Sequence, residues 1–136
     1  MNAGVLSRRQ VHVVVAVLAV SGVLTLLMTG CVTTIHDAAE KGDTQAVKTL
    51  LREAHVNARD EDGKTPLHRA AAGGRTDTVK LLLERGAYVS ARDNYDQTPL
   101  YLAAELGRTE TVKLLLDRGA DVNALGCHGM TPLHRA

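Results

Sequence analysis

A sequence repeat with a fixed period is the feature that most constrains the fold of this chain. Thr65, Thr98 and Thr131 each open a Thr-Pro-Leu motif, and each motif follows the one before it at a shift of 33. The sequence VKLLLERGAYVSAR at 79–92 likewise matches VKLLLDRGADVNAL at 112–125. Because one unit of this size cannot bury its apolar face alone, neighbouring units must stack and cover each other.

A degenerate copy precedes the clear repeats. Residues 33–39 align with residues 65–71 at a shift of 32, and one residue is missing between Leu51 and Val56. We therefore divide the chain at the repeat boundaries. The units are 33–59, which is degenerate, 60–92, 93–125, and 126–136, which holds only the start of a repeat.

The first half of each unit predicts a short helix. Thr65 is a favourable N-cap, and Pro66 follows at the first helical position, where a missing N–H costs nothing. Leu67, Ala70 and Ala71 lie at i, i+3 and i+4 and so form one apolar face. Small alanines on that face allow a second helix to approach closely.

The second half of each unit predicts another helix, at 77–85. Val79, Leu82 and Leu83 follow the helical spacing, and Gly86 stands where a left-handed residue ends a helix. Before the helices, the Asp-x-x-Gly spacing of residues 60–63 is typical of a tight turn. Each unit is therefore expected to contain a turn followed by two helices.

The motif Thr-Pro-Leu-His-x-Ala-Ala, followed by Gly and then by Val-x-x-Leu-Leu-x-x-Gly-Ala-x-Val, resembles the ankyrin repeat. The resemblance extends over residues 33–136, and its motifs recur in register. It implies an all-α solenoid of helix–turn–helix pairs with hairpin-like turns, and the N-terminal apolar run predicts a hydrophobic signal or anchor helix before it. It also implies that the chain binds another protein through its turn tips and first helices.

The N-terminal segment 1–30 has a different character. Arg8 and Arg9 precede the uncharged run 13–28, and small residues then lead to Cys31. A basic start, an apolar run and a small-residue exit are typical of a secretory signal peptide. We therefore treat residues 1–30 as a signal or anchor, and residues 31–136 as the repeat domain.

The segment that ends at Cys31 resembles the lipobox of bacterial lipoproteins, in which the cysteine receives a diacylglycerol and the preceding peptide is removed. This resemblance implies lipidation of Cys31 and a membrane-anchored domain on the periplasmic or extracytoplasmic side of a bacterial envelope. Val32 follows where an Asp would resemble an inner-membrane retention signal, which favours the outer membrane. Two alternatives stay open: the uncharged stretch 13–35 is long enough to span a bilayer, or the signal peptide is cleaved without lipidation.

Composition argues against a nucleic-acid partner. The net charge is +1, with 16 basic and 15 acidic residues, so the chain has no basic field for nucleic acid. Aromatic residues make up 2% of the chain, which disfavours a surface that stacks bases.

The spacing of three histidines bears on whether the chain holds a metal or an active site. His68 follows His36 at a shift of 32 and His134 follows His68 at a shift of 66, as the repeat requires, and Tyr101 takes the histidine position in the intervening unit. Tyrosine does not replace a neutral imidazole ligand, and the ankyrin resemblance implies that these histidines bond neighbouring turns. The sequence has no nucleophile, zinc-binding or phosphate-binding motif. We predict a protein that is not an enzyme, with no catalytic residue, metal, cofactor or small-molecule substrate.

The resemblance assigns a partner-binding surface by position. The assigned residues are Glu61, Asp62, Lys64 and Arg69 in one unit, Asn94, Tyr95, Gln97, Leu102, Glu105 and Leu106 in the next, and His128 and Met130 in the last. One interpretation places Tyr95, Leu102 and Leu106 in an exposed apolar strip. The other packs the two leucines beneath neighbouring turns.

The last unit gives two further expectations. Only the opening of a helix follows Thr131, so the preceding apolar face with Leu114 and Leu115 is expected to be poorly covered, as in a truncated sequence. Cys127 is expected to be a passive replacement on a variable turn tip. The alternative function is that of an inhibitor or immunity-type protein that blocks an envelope enzyme or toxin.

Overall fold

A computed structural model describes residues 33–124 together with Gly126 and Gly129. This part of the chain contains six α-helices and no strand, which confirms the all-α prediction for it. The helices are α1 (Ile35–Lys41), α2 (Thr44–Leu50), α3 (Pro66–Ala72), α4 (Thr76–Glu84), α5 (Pro99–Glu105) and α6 (Thr109–Asp117). The N-terminal segment with Cys31, and the last partial unit apart from two glycines, lie outside the described residues.

The first helix of each clear repeat begins as predicted. Thr65 is the N-cap of α3 with an extended backbone, and Pro66 is the first helical residue. Thr98 caps α5 in the same way, and its hydroxyl accepts the backbone N–H of Tyr101 at 3.2 Å. The proline fixes φ where no N–H is needed, so the Thr-Pro pair sets the start of the helix.

The degenerate first unit begins its helix differently. The alignment places Thr33 opposite the capping threonine, but Thr34 is the N-cap of α1. Asp37 provides the reason, because it completes a capping box with Thr34. The backbone N–H of Thr34 donates to Asp37 Oδ2 at 3.2 Å, and the backbone N–H of Asp37 donates to Thr34 Oγ1 at 3.2 Å.

The second helices end at the predicted glycines. α4 runs from Thr76 to Glu84, one residue earlier at each end than the sequence predicts. Gly86 follows with φ +89°, the left-handed conformation that ends a helix without steric cost.

The apolar faces meet between neighbouring units. Leu67, Ala70, Ala71, Val79 and Leu82 are fully buried. α3 packs between α1 and α5, and α4 packs between α2 and α6. Each buried leucine contributes about 1.5–3 kcal/mol relative to an exposed one, so the stack supplies a core that no single unit has.

The expectation of a poorly covered face in the third unit is wrong for Leu115, which is fully buried. Leu115 repeats the position of Leu82, and it is covered because α5 of its own unit packs against α6. Leu114 is half-buried, and Leu116 is the leucine of α6 that is exposed.

Candidate functional site

The turn before α3 is built around the carboxylate of Asp60. The backbone N–H of Asp60 donates to the Lys64 carbonyl at 3.0 Å, and the Gly63 N–H donates to the Asp60 carbonyl at 2.9 Å. Asp60 Oδ1 accepts the backbone N–H groups of Asp62 at 3.0 Å and Lys64 at 2.9 Å. Gly63 has φ +73°, which glycine adopts at little cost. This geometry confirms the tight turn that the Asp-x-x-Gly spacing predicts.

The turn before α5 repeats this geometry around Asp93. The Asp93 N–H donates to the Gln97 carbonyl at 3.0 Å, and Asp93 Oδ1 accepts the N–H groups of Tyr95 and Gln97, each at 2.9 Å. Asp96 stands at the glycine position with φ +62°, and its carboxylate pairs with Arg92 at 2.7 Å. Replacement of the glycine therefore leaves the shape of the turn unchanged.

Asn94 joins the two turn tips. Its backbone N–H donates to the Asp62 carbonyl at 3.0 Å, and its side-chain Nδ2 donates to the Glu61 carbonyl at 3.1 Å. A Cβ on Gly63 would lie 2.9 Å from the Asn94 nitrogen, so the tips also touch. Three predicted binding residues, Glu61, Asp62 and Asn94, therefore lie together, but the side-chain amide of Asn94 is used in a hydrogen bond between the two turns.

Arg69 is the centre of an ion-pair network on the same edge. Its guanidinium lies 2.8 Å from Asp60 Oδ2, 3.0 Å from Asp62 Oδ2 and 3.9 Å from Glu40 Oε2. Burial by itself raises the pKa of Asp60, but hydrogen bonds from Arg69 and from the Lys64 N–H outweigh it and lower that pKa. The guanidinium of Arg69 is therefore engaged by carboxylates of its own chain, and only part of its side chain faces solvent.

Tyr95 in the second turn and Leu106 at the end of α5 supply exposed apolar surface. They are 57% and 50% exposed, whereas Leu102 is 7% exposed. The prediction of one exposed strip is therefore wrong, because Leu102 is buried within α5, although Leu106, the C-cap residue of that helix, is exposed. Lys64 Nζ lies 5.9 Å from the centre of the Tyr95 ring, a distance at which the cation is attracted to the ring face.

The remaining predicted binding residues divide into two groups. Gln97 is half-buried and uses its backbone carbonyl in the second turn, whereas Glu105 is exposed at the end of α5. His128 and Met130 lie outside the described residues, as does Cys127.

His68 has the structural role that the resemblance implies. Its Nδ1 accepts the backbone N–H of Thr65 at 3.1 Å, so the ring hydrogen is on Nε2, which donates to the Gln97 carbonyl in the next turn at 3.0 Å. Burial lowers the pKa of His68, although the Gln97 carbonyl and the Asp93 carboxylate favour the charged form. His68 is fully buried and neutral at pH 7, and it connects consecutive turns.

The described residues offer no alternative centre for metal chemistry. No group of three or more His, Cys, Asp or Glu side chains among them is arranged to hold a metal ion. His36 also bonds a backbone carbonyl, since its Nε2 lies 2.9 Å from the Ala58 oxygen, but Ala58 belongs to the same unit as His36. No helix in this part of the chain combines the length and apolar character needed to cross a bilayer.

Sequence reasoning missed a pair of arginines that connect the units. Arg75 Nε donates to the Glu40 carbonyl and Arg108 Nε to the Ala72 carbonyl, each at 3.0 Å. Each arginine thereby satisfies the end of the first helix in the preceding unit. The two arginines are related by the same shift of 33 as the Thr-Pro-Leu motifs, and this is a signal that identifies them as repeat positions.

Comparison with known proteins agrees with this architecture. A family model described as "Ankyrin repeats (3 copies)" matches residues 15–93, 35–125 and 89–136. Ankyrin repeat domain-containing protein 49 of Bos taurus is 54% identical over 52 residues, which are 37% of this chain and 22% of that protein.

Two further relatives extend the comparison. An ankyrin repeat protein of Rickettsia bellii is 46% identical over 72 residues, covering 52% of this chain and 30% of that protein. Protein phosphatase 1 regulatory subunit 12A of Mus musculus is 42% identical over 53 residues, covering 38% of this chain and 5% of that protein. The matched stretches span less than a third of each of these relatives.

Proposed function

Because this chain belongs to the ankyrin-repeat family, we propose that it is a non-catalytic module that binds another protein. Ankyrin repeats are generally protein–protein interaction modules. The observation that carries the proposal is the exposure of Tyr95 on the second of the joined turns, together with the exposure of Leu106 at the end of α5. Tyrosine is enriched among the residues that dominate binding energies, and an apolar anchor needs such exposure in the free protein.

The surroundings of Tyr95 and Leu106 support this choice of surface. Lys64, Glu61 and Glu105 are polar residues near these anchors that keep solvent contact. Protein interfaces commonly combine a few apolar anchors with a polar rim. We therefore place the centre of the contact at Tyr95 and its edge at the first turn.

Site-specific crosslinking tests the position of the contact. A photoreactive phenylalanine analogue replaces Tyr95 in one variant and Tyr88 in another. Tyr88 is the matched control because it is 67% exposed and lies outside both turns. We expect one protein to be crosslinked from position 95 and not from position 88. Equal crosslinking from both positions, or crosslinking from position 88 alone, contradicts the proposal.

We also propose that a lipid on Cys31 tethers the module to the extracytoplasmic side of a bacterial cell envelope, with the outer membrane favoured. Arg8 and Arg9, the uncharged run 13–28 and the small residues before Cys31 support this proposal. Each buried methylene of an acyl chain contributes about 0.8 kcal/mol, so two or more chains give stable anchoring. The competing arrangement keeps residues 13–35 as a transmembrane helix.

Replacement of the cysteine separates the two arrangements. Cys31→Ser should leave an unprocessed precursor of higher mass that carries no lipid label. Cys127→Ser is the matched control, and it should be processed and labelled like the wild type. If Cys31→Ser has the mass of the wild type and partitions equally into membranes, the chain is not anchored by a lipid on this residue.

A further inference from the structure

The two turns differ at one carboxylate oxygen. Asp60 Oδ2 accepts from Arg69, whose Nε and terminal nitrogen lie 2.9 Å and 2.8 Å away. Asp93 Oδ2 is buried and has no hydrogen-bond partner in the described part of the chain. α5 carries Leu102 at the position where α3 carries Arg69. The second turn therefore holds a carboxylate whose corresponding cation is replaced by a leucine.

Both carboxylates are held in the same orientation. In each turn, Oδ1 accepts the backbone N–H groups of the residues two and four positions later, at 2.9 to 3.0 Å. Because Oδ1 is fixed in the same way in both turns, we expect Asp93 Oδ2 to face α5 as Asp60 Oδ2 faces Arg69 of α3. The Asp93 side chain is more than nine-tenths buried. A buried carboxylate oxygen without a donor is costly, and a charged donor satisfies it most strongly.

The carboxylates that pair with arginines beside the turns do not include Asp93 in the described part of the chain. Glu40, Asp60 and Asp62 pair with Arg69, and Asp96 pairs with Arg92. Among the described residues, none of the ion pairs involves Asp93. An arginine fits better than a lysine, because a planar guanidinium donates two hydrogen bonds in a fixed geometry.

We propose that the bound protein inserts an arginine at the second turn, where its guanidinium donates to Asp93 Oδ2 in place of the arginine that α5 lacks. The inference rests on the proposed function, since the arginine belongs to the partner. The Leu102 side chain must turn away from the carboxylate for the guanidinium to enter. The new charge-assisted hydrogen bonds offset the cost of that movement.

An NMR titration tests this inference on the full chain, labelled with ¹⁵N and held in detergent. The probe is the blocked peptide acetyl-Gly-Arg-Gly-amide, and acetyl-Gly-Lys-Gly-amide is its control. The amides of Tyr95 and Gln97 report on Asp93, because they donate to its Oδ1. We expect these amides to shift in a saturable manner, at roughly tenfold lower concentration of the arginine peptide. The amides of Asp62 and Lys64 are the internal control and should not respond, since Arg69 already occupies Asp60.

Two exchanges between the turns sharpen the test. Leu102→Arg supplies the missing cation from within the chain, so it should abolish the response at Tyr95 and Gln97. Arg69→Leu frees the first carboxylate, so the Asp62 and Lys64 amides should begin to respond. The second exchange keeps the test decisive if the first variant does not fold.

Several results would overturn the inference. These are no shift at the reporting amides, an equal response to both peptides, or an unchanged response in Leu102→Arg. The variant Arg135→Ala, measured without peptide, tests whether an arginine of this chain binds Asp93. A shift of the Tyr95 and Gln97 amides in that variant would also overturn the inference. If the peptide fails while crosslinking from position 95 succeeds, the arginine inference is wrong and the proposed function stands.

Discussion

Asp60 and Asp93 occupy equivalent places in successive turns, and their different environments show what one residue changes. Both accept two backbone N–H groups through Oδ1, which fixes the turn in the same shape. Of these two aspartates, only Asp60 pairs with an arginine of the described residues, because α5 has Leu102 where α3 has Arg69. The repeat thus preserves the shape of the turn while it varies the charge presented beside it.

Arg69→Leu should make the first turn chemically equivalent to the second. It leaves Asp60 Oδ2 without its donor, which should lower the free energy of unfolding by about 1–3 kcal/mol at pH 7. The pKa of Asp60 is lowered from 3.8 in the native state, so the stabilisation is fully present above the unfolded pKa and disappears as pH falls through the native pKa. Urea unfolding at pH 7 and pH 3 should show a large difference from wild type at pH 7 and a smaller one at pH 3.

The control for this variant is Arg92→Leu. Arg92 forms an exposed ion pair with Asp96, so its loss should change stability by about 0.5 kcal/mol or less. Equal effects of the two substitutions would contradict the role assigned to the half-buried carboxylate of Asp60.

His68 should make stability fall on mild acidification. Its native pKa is lowered from 6.5, so the unfolded chain binds more protons between the two pKa values and stability decreases as pH drops below 6.5. The loss should reach at most about 1.4 kcal/mol at pH 5.5. His68→Gln should be less stable at pH 7.5, through the lost hydrogen bonds, but should lack this pH-dependent part.

Unfolding curves at pH 7.5 and 5.5 measure this difference. The exposed His55 provides the control, since His55→Gln should keep the acid sensitivity of the wild type. If His68→Gln retains that sensitivity in full, another group is responsible for it.

At the scale of helices and turns, the sequence predicts what is local. The helix faces with Leu67 and Val79, the Thr-Pro starts and the Asp-x-x-Gly turn are confirmed, because spacing and capping determine them. The burial of Leu102 was not predictable in this way, since it depends on the elements that flank α5. The ion pairs of Arg69 were missed for the same reason, because they join three elements.

The second turn allows a direct test of backbone strain. Asp96 adopts φ +62° where the first turn uses glycine, and a left-handed residue with a Cβ costs about 1 kcal/mol. Asp96→Gly should therefore raise the free energy of unfolding by about 0.5 kcal/mol, after loss of the exposed pair with Arg92. Thermal melts measure the change. A lower melting temperature would show that the ion pair contributes more than the relief of strain.

Gly63→Asp is the reciprocal variant. A Cβ on Gly63 would meet the Asn94 backbone nitrogen at 2.9 Å, in addition to the strain of φ +73°. Gly63→Asp should therefore lower the melting temperature, and this decrease should be larger than the increase that Asp96→Gly causes.

At the scale of the whole repeat domain, stability and recognition use different residues. Framework residues such as His68 and Arg108 bond one unit to the next, and they recur at the repeat spacing. Tyr95 and Leu106 are exposed and do not recur, since Asp62 and Gly73 take their positions in the preceding unit. This separation allows one family scaffold to present different binding surfaces.

The affinity of the purified partner, identified by crosslinking, shows whether Tyr95 and Leu106 form the binding surface. Calorimetric titration would compare the wild type with Tyr95→Ala/Leu106→Ala, with Tyr88→Ala as the control. We expect a loss of about 2 kcal/mol or more for the double variant, roughly thirtyfold in Kd, with an unchanged melting temperature. Tyr88→Ala should bind like the wild type. An unchanged Kd for the double variant, or an equal loss for Tyr88→Ala, would contradict the assignment of this surface.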